Sequence, residues 1–467
     1  MTVSLPLIVS AGILLAVLTR VIGPVVTAIG AVIFTTCFLP IVALGTADEE
    51  FSVGISNQFI EWRTYTLLII AMGIVVVLRS GFGCFSPMHL LFAGWTVYGL
   101  VYVWNDTPLV YAGFLQLMIG VLAWGVGVAV ARMRHTAAVE RAILFVLAGV
   151  VVFETMLCIL QYGGLPINLG PEAGILGTRV RGTTNHPNTL GKLLFILLIL
   201  LLPLTASRSA KVGRWAIISA GLLFVPFGLA QGRANLAALI GALLIWAVLT
   251  PNTRFSTSRR LALIPVAAIG IAATAGSVAA RFEEDPTGGA RSRLYEIAAD
   301  AIPDHLWFGV GPNSYVVEIA QFYGSFIPVH NSFVLLLAET GVIGVALYFG
   351  PLLVAVARAI TTARRNRYSR ALVSTFPGWL MIGMTGWGLL GNSVLPFFMF
   401  AVAYTAERSR VVAREQGGSE GPENGERNRN PDREADPDVI SRNATDDRYD
   451  RRQGNTGRSK IGYHPVQ

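Results

Sequence analysis

The sequence predicts an all-α protein, a polytopic integral membrane bundle of about 12–13 transmembrane helices. Two observations carry this. The 467 residues are 53% hydrophobic and only 14% charged, where a soluble domain carries about 25% charged residues. Apolar runs of roughly the 20 residues needed to cross a bilayer recur from Leu5 to Tyr404. The short alternating segments of a membrane barrel are absent from the sequence.

Taken in order, the apolar segments fall at about 4–19, 22–45, 64–78, 88–104, 108–131, 142–162, 188–206, 214–231, 234–249, 261–280, 332–357, 372–390 and 393–406. The first stretch, "MTVSLPLIVSAGILLAVLTR", lacks a basic leader and reads as a retained helix. Cys37, Cys84 and Cys158 lie in or beside apolar runs without CxxC spacing, so neither a disulfide framework nor a thiolate metal site is expected. The net charge of +8 is assigned to cytoplasmic loops, with no nucleic-acid partner.

Orientation follows the Lys/Arg bias of short loops. The basic loops 131–141, 207–214, 253–260 and 357–370 are expected inside, each pair separated by two crossings. The N-terminus, 163–187, the turn "QGRAN" and a large loop, 281–331, then face outward. Residues 1–406 form the predicted membrane domain. Residues 407–467 are polar, mixed in charge and poor in large apolar side chains, and read as a disordered cytoplasmic tail. Asp436-Pro437-Asp438 mimics the DxD motif of metal-dependent sugar transferases, but in such a tail it reads as solvated charge.

Three outward stretches break the charge bias. "GTRVRGTTNHPNTLGK" (177–192) holds Arg179, Arg181, His186 and Asn188; "LAQGRANLAAL" (229–239) holds Arg233; and 281–331 leads to His330 and Asn331. Arginine at an outer boundary calls for a carboxylate or an anionic ligand, and a guanidinium binds phosphate bidentately without losing its charge. The alternative is pairing with local acids such as Glu172 or Glu284, or snorkelling to headgroups. The short turn at Arg233 contains no acid. His330 opens a predicted helix, whose positive end disfavours imidazolium, so a neutral ring there suits general-base work; a structural cap is the alternative. Glu154 and Glu339 sit inside apolar runs, each a candidate partner for an arginine. The glycines of "AETGVIGVALYFG" read as close helix packing. No P-loop, no dinucleotide fingerprint, no HExxH and no metal-ligand histidine spacing occurs in the sequence, so no cofactor is expected.

The order of these elements resembles the O-antigen ligase and polymerase superfamily over about residues 175–400. His330-Asn331, nine residues, then Gly341-Val-Ile-Gly344 fits the family's His-[Asn/Ser/Gln]-x9-Gly-x-x-Gly pattern. Arg233 stands in the short external turn where the family has an essential arginine, though the usual leucine four residues on is Ala237. "SRLYEIAADAIPDHLWFGVGPNSY" resembles the family's external loop, with Arg293 before a helix and a "GvG" turn. The resemblance implies a bacterial inner-membrane glycosyltransferase of GT-C type. Its donor is a glycan on a polyprenyl diphosphate, and its acceptor a hydroxyl of a glycan, lipid or protein at the outer face. Transfer is inverting and metal-independent. It further implies His330 as base and Arg233 and Arg293 as diphosphate ligands, with Arg179, Arg181, His186 and Asn331 as further binding residues. Ligase and polymerase differ only in the acceptor. A transporter or flippase of lipid-linked sugars, with paired broken helices, and a scaffold working through its tail are the competing readings.

Overall fold

The structure, a computed structural model, describes residues 5–38, 64–80, 89–103, 108–165, 167, 179–184, 186–251, 272, 275–276, 279, 283, 291–391 and 393–417. The chain divides into two units at Gln416–Gly417, and the first is described below.

The protein is an all-α polytopic membrane protein. In chain order the helices are α1 (Leu5–Ile22), α2 (Pro24–Ile33, continued by a π-turn over Phe34–Phe38), α3 (Thr64–Ser80), α4 (His89–Val103), α5 (Pro108–Arg132), α6 (Ala137–Tyr162), α7 (Pro187–Thr205), α8 (Ala210–Leu222), α9 (Phe224–Leu229), α10 (Arg233–Leu249), α11 (Arg291–Ala301), α12 (Tyr315–Glu318), α13 (Ser332–Thr362), α14 (Arg367–Met384) and α15 (Val394–Gly417). Among the described residues five helices are long and apolar enough to cross a bilayer: α5, α6, α7, α8 with α9, and α13. Shorter apolar helices include α4 and α10. All but residues 272, 275–276 and 279 of the segment expected at 261–280 lie outside the described residues, as does the tail from 418 onward with its Asp436–Asp438 motif.

Helix starts follow local chemistry. Thr136, Ser209, Asn331 and Asn366 each accept an orphan amide from the first turn of α6, α8, α13 and α14. α10 and α13 pack along α14, and α7 packs on α8 and α14. The inner stretch of α15, from Val394 to Ala406, is buried almost throughout.

Polar groups gather at two ends. At one, Glu140 accepts from Arg367 and from Ser207 Oγ (2.8 Å). Arg132 Nε donates to Glu407 at 2.8 Å, Asn366 Nδ2 donates to the Ser409 carbonyl at 2.7 Å, and His135 meets the Tyr404 hydroxyl at 2.9 Å. These contacts move one expected boundary. α15 does not stop at 406 but runs to Gly417, because Glu407 and Arg408, tail-like by composition, are buried there; Glu407 pairs with Arg132 and Arg410.

The other end is shaped by a break in α13. Gly341 has φ +64° and ψ −178°, which ends the helical run begun at Ser332 and starts another. Residues 306–311 fill the gap. Val310 and Gly311 amides donate to the carbonyls of Ala338 (3.0 Å) and Glu339 (2.8 Å), and the Val342 amide donates to Leu306 (2.8 Å). The Tyr98 hydroxyl lies 2.8 Å from the Thr340 carbonyl and 3.0 Å from that of Phe308. A Cβ on Gly341 would strike the Trp307 backbone, and one on Gly309 the Glu339 backbone. Gly341 is therefore a break that receives a loop, rather than the packing glycine read from the sequence.

Candidate active site

Two helix starts form one wall. Pro187 takes the first position of α7, where its missing N–H costs nothing, and His186 caps that helix, its Nδ1 accepting the Asn188 amide at 3.0 Å. Burial first, then the Arg179 guanidinium and the Lys192 ammonium, hold the His186 pKa down at about 4. The ring is therefore neutral near neutral pH.

Arg179 is laid along the turn that precedes α10. Its Nε donates to the Ala230 carbonyl (3.1 Å) and its Nη2 to Asn188 Oδ1 (2.8 Å), while the Val180 amide donates to Leu229 (3.3 Å). The turn closes through Gln231 at φ +54° and Gly232, which makes Arg233 the first residue of α10. Asn235 Nδ2 reaches the Asn188 carbonyl at 3.4 Å, and Gly191 leaves room for that side chain. Arg179, His186, Arg233 and Lys192 thus come from two adjoining helix starts.

Arg181 is buried, and Gln161 Oε1 accepts both its amide (3.2 Å) and that of Gly182 (2.9 Å). Glu154 of α6 accepts the hydroxyl and the amide of Thr183. Gly182 has φ +58°, and a Cβ there would meet the Glu154 carboxylate. The pairing of Glu154 with an arginine is replaced by this grip on the 181–184 turn.

The third element of the candidate site is the start of α13. Asn331 caps it, its Oδ1 accepting the amides of Phe333 (2.9 Å) and Val334 (3.2 Å). Its Nδ2 donates to the Tyr295 hydroxyl at 3.1 Å, which donates to the Met384 carbonyl at 2.9 Å. Ser332 Oγ donates to the Gly386 carbonyl at 2.7 Å. Asn331 is thus occupied as a cap and a tie to α11, and it places the residue before it, His330. Burial, the Arg291 guanidinium and the Lys192 ammonium push the His330 pKa below the usual histidine value, and the Pro328 carbonyl partly opposes them. The buried Nδ1 has no hydrogen-bond partner among the described residues.

Lys192 links these elements electrostatically. It acts on both His186 and His330. Its Nζ lies against the turn between α14 and α15, where a Cβ on Gly388 would collide with it and one on Gly386 would lie 3.7 Å away. Arg293, two residues after Arg291 on α11, faces differently, since such neighbours do not share a helix face. It is exposed and donates to the Tyr323 carbonyl at 3.3 Å. The sequence reading omits Lys192 and Arg291. A lone cation just inside an apolar run is the signal for Lys192. Glu339 lies elsewhere, fully buried and facing the backbone amides of Asn313 and Tyr315, with no arginine partner among the described residues.

The arrangement sets a neutral imidazole beside several fixed cations. It suits an anionic ligand whose neighbour is a hydroxyl that must lose a proton. No curated protein matches the chain. Residues 193–349 match the model of the O-antigen ligase family. The match begins next to Lys192, spans Arg233, Arg291, Arg293 and His330, and runs past the break in α13, so the resemblance to the O-antigen ligase and polymerase superfamily holds over this stretch.

Proposed function

We propose that this chain moves a glycan from a polyprenyl diphosphate carrier to an acceptor hydroxyl at the outer face of the bacterial cytoplasmic membrane, as a ligase or polymerase. The observation that carries this is that Lys192, whose Nζ lies against the turn between α14 and α15, stands near enough to His330 for its charge to act on the ring, while that same turn is tied to the start of α13 by Ser332; Arg233 opens α10 and Arg179 lies along the turn before it. The family match supports the coarser statement, a membrane glycan transferase.

In this reading the acceptor oxygen bonds the anomeric carbon. Its proton passes to the His330 ring. The anomeric carbon–oxygen bond breaks, and its electron pair leaves on the diphosphate. A single displacement of this kind inverts the anomeric centre. Arg233 and Arg179 meet the negative charge of the diphosphate; His186 caps the helix start beside them, while Arg181 and the exposed Arg293 are assigned a supporting part in donor binding. Fixed positive groups of this kind lower the barrier most where charge develops. The mechanism asks for no metal, and chelation should leave the rate unchanged.

The test is transfer and donor binding by purified protein in lipid nanodiscs. His330→Ala should lose about 10²–10⁴-fold in rate while binding donor like the parent. Transfer at the parent rate would remove His330 from the chemistry.

The broken helix α13 is the observation that favours a transporter, since such proteins bind cargo at interrupted helices. Its freed carbonyls, however, are taken by residues 306–311. Donor crossing sealed vesicles without acceptor consumption would support that reading instead.

A further inference from the structure

Lys192 is the cation of this region with the least local reason to exist. It stands in the second turn of α7, half-buried within an otherwise apolar helix. Among the described residues its ammonium makes no ion pair and no hydrogen bond. Glu154 is held by Thr183, and Glu339 faces the Asn313 and Tyr315 amides. The charged or titratable groups that do share its surroundings, His186 and His330, offer it no counter-charge. An ammonium taken partly out of water without a carboxylate is costly, and such a group marks a place for an anion.

The backbone around Nζ is arranged for it. Gly388 gives it space that a Cβ would take, and Gly386 lies at ordinary contact distance. Ser332, by donating to the Gly386 carbonyl, fixes that same turn to the start of α13. The ammonium of α7 thereby stands against a turn that is fastened to the start of α13, the helix that His330 precedes, and its charge acts on the His330 ring.

We infer that Lys192 is a ligand of the donor's diphosphate, placed on the phosphate that departs from the sugar. The inference rests on the glycan-transfer reading and adds to it the group that receives the leaving charge. As the anomeric bond breaks, the electron pair arriving on the phosphate oxygen is met by the ammonium, and the acceptor's proton goes to His330. A point charge with three rotatable donors fits an oxygen whose charge rises during the step.

The experiment measures binding of polyprenyl diphosphate, the probe, to full-length protein in nanodiscs, with thermal unfolding and transfer on the same samples. Lys192→Met keeps the length and removes the charge. Gly388→Ala keeps the charge and displaces it. Each should weaken probe binding by ~10–100-fold and slow transfer further, while unfolding temperatures stay close to the parent's. Polyprenyl monophosphate should lose less than the diphosphate in both variants. Parent-like binding by Lys192→Met, or a loss that appears only together with unfolding, would overturn the inference and leave the glycan-transfer reading standing. Failure of the parent itself to bind the probe would remove both.

Discussion

A histidine that is to accept a proton has to be neutral when the hydroxyl arrives, and the surroundings of His330 push it that way. Burial, Arg291 and Lys192 all act against the imidazolium. If His330 is the base, transfer should fall on the acid side, with its midpoint below the ordinary histidine value of about 6.5. A pH–rate profile of the reconstituted protein checks this, and a midpoint at or above that value would contradict it. Arg233 makes a different demand. Substitution by lysine retains charge but loses the planar fork, so Arg233→Lys should lower transfer on the order of tenfold or more. Full activity in that variant would reduce Arg233 to a headgroup contact. At this scale the sequence is legible where a residue type is unusual for its place. His330 and Arg233 stand out in short polar stretches. Lys192 shows only as a lone cation inside an apolar run and Arg291 not at all, because their meaning depends on which turn and which histidine the fold brings to them.

Among the elements, α13 shows most clearly what apolar periodicity hides. A run of hydrophobic residues from 332 to 357 reads as one helix, yet Gly341 divides it, and the satisfied carbonyls of Ala338 and Glu339 belong to residues 306–311. Nothing local in the sequence announces a partner that lies in an earlier loop. Gly341→Ala would put a Cβ at a positive φ with ψ near 180°, a region essentially reserved for glycine and costing roughly 1–3 kcal/mol, and drive it into the Trp307 backbone. The variant should lose transfer, unfold at lower temperature, and expose 302–328 to limited proteolysis; a parent-like cleavage pattern would count against the docking of this loop. The same logic holds at α6. Glu154 reads as an intramembrane acid awaiting an arginine, but it grips the Thr183 hydroxyl and amide. Glu154→Ala should loosen the turn that leads to His186 and so weaken donor binding, with little change if the turn is held mainly by Gln161.

For the whole molecule, composition and hydropathy predict the class of fold well, because a bilayer demands long apolar helices and little else satisfies their backbone. They predict the end of the bundle less well. Glu407 and Arg408 look like tail, and only their buried place beside Arg132 and His135 shows why α15 continues. That end also predicts acid sensitivity. Burial, followed by the Arg408 charge, holds the His135 pKa down at about 4, as His186 is held at the other end. The unfolded chain binds more protons between about pH 6.5 and 4, so stability should drop as pH falls through that window. His135→Gln should flatten the drop in thermal unfolding temperature, and an unchanged slope would discount this histidine. If the basic loops set the topology, a cysteine placed at Ser325 should react with a membrane-impermeant reagent on intact cells; reaction only after lysis would invert the assignment. The junction at Gly341 carries a consequence for biogenesis. Residues 306–311 leave the ribosome before the helix that will receive them, and the stretch 332–340 has no closure for its last carbonyls until they return. A freshly inserted chain therefore makes its crossings before the break in α13 is closed, and if the proposed function holds, it should stay inert towards a lipid-linked donor until residues 306–311 fold home.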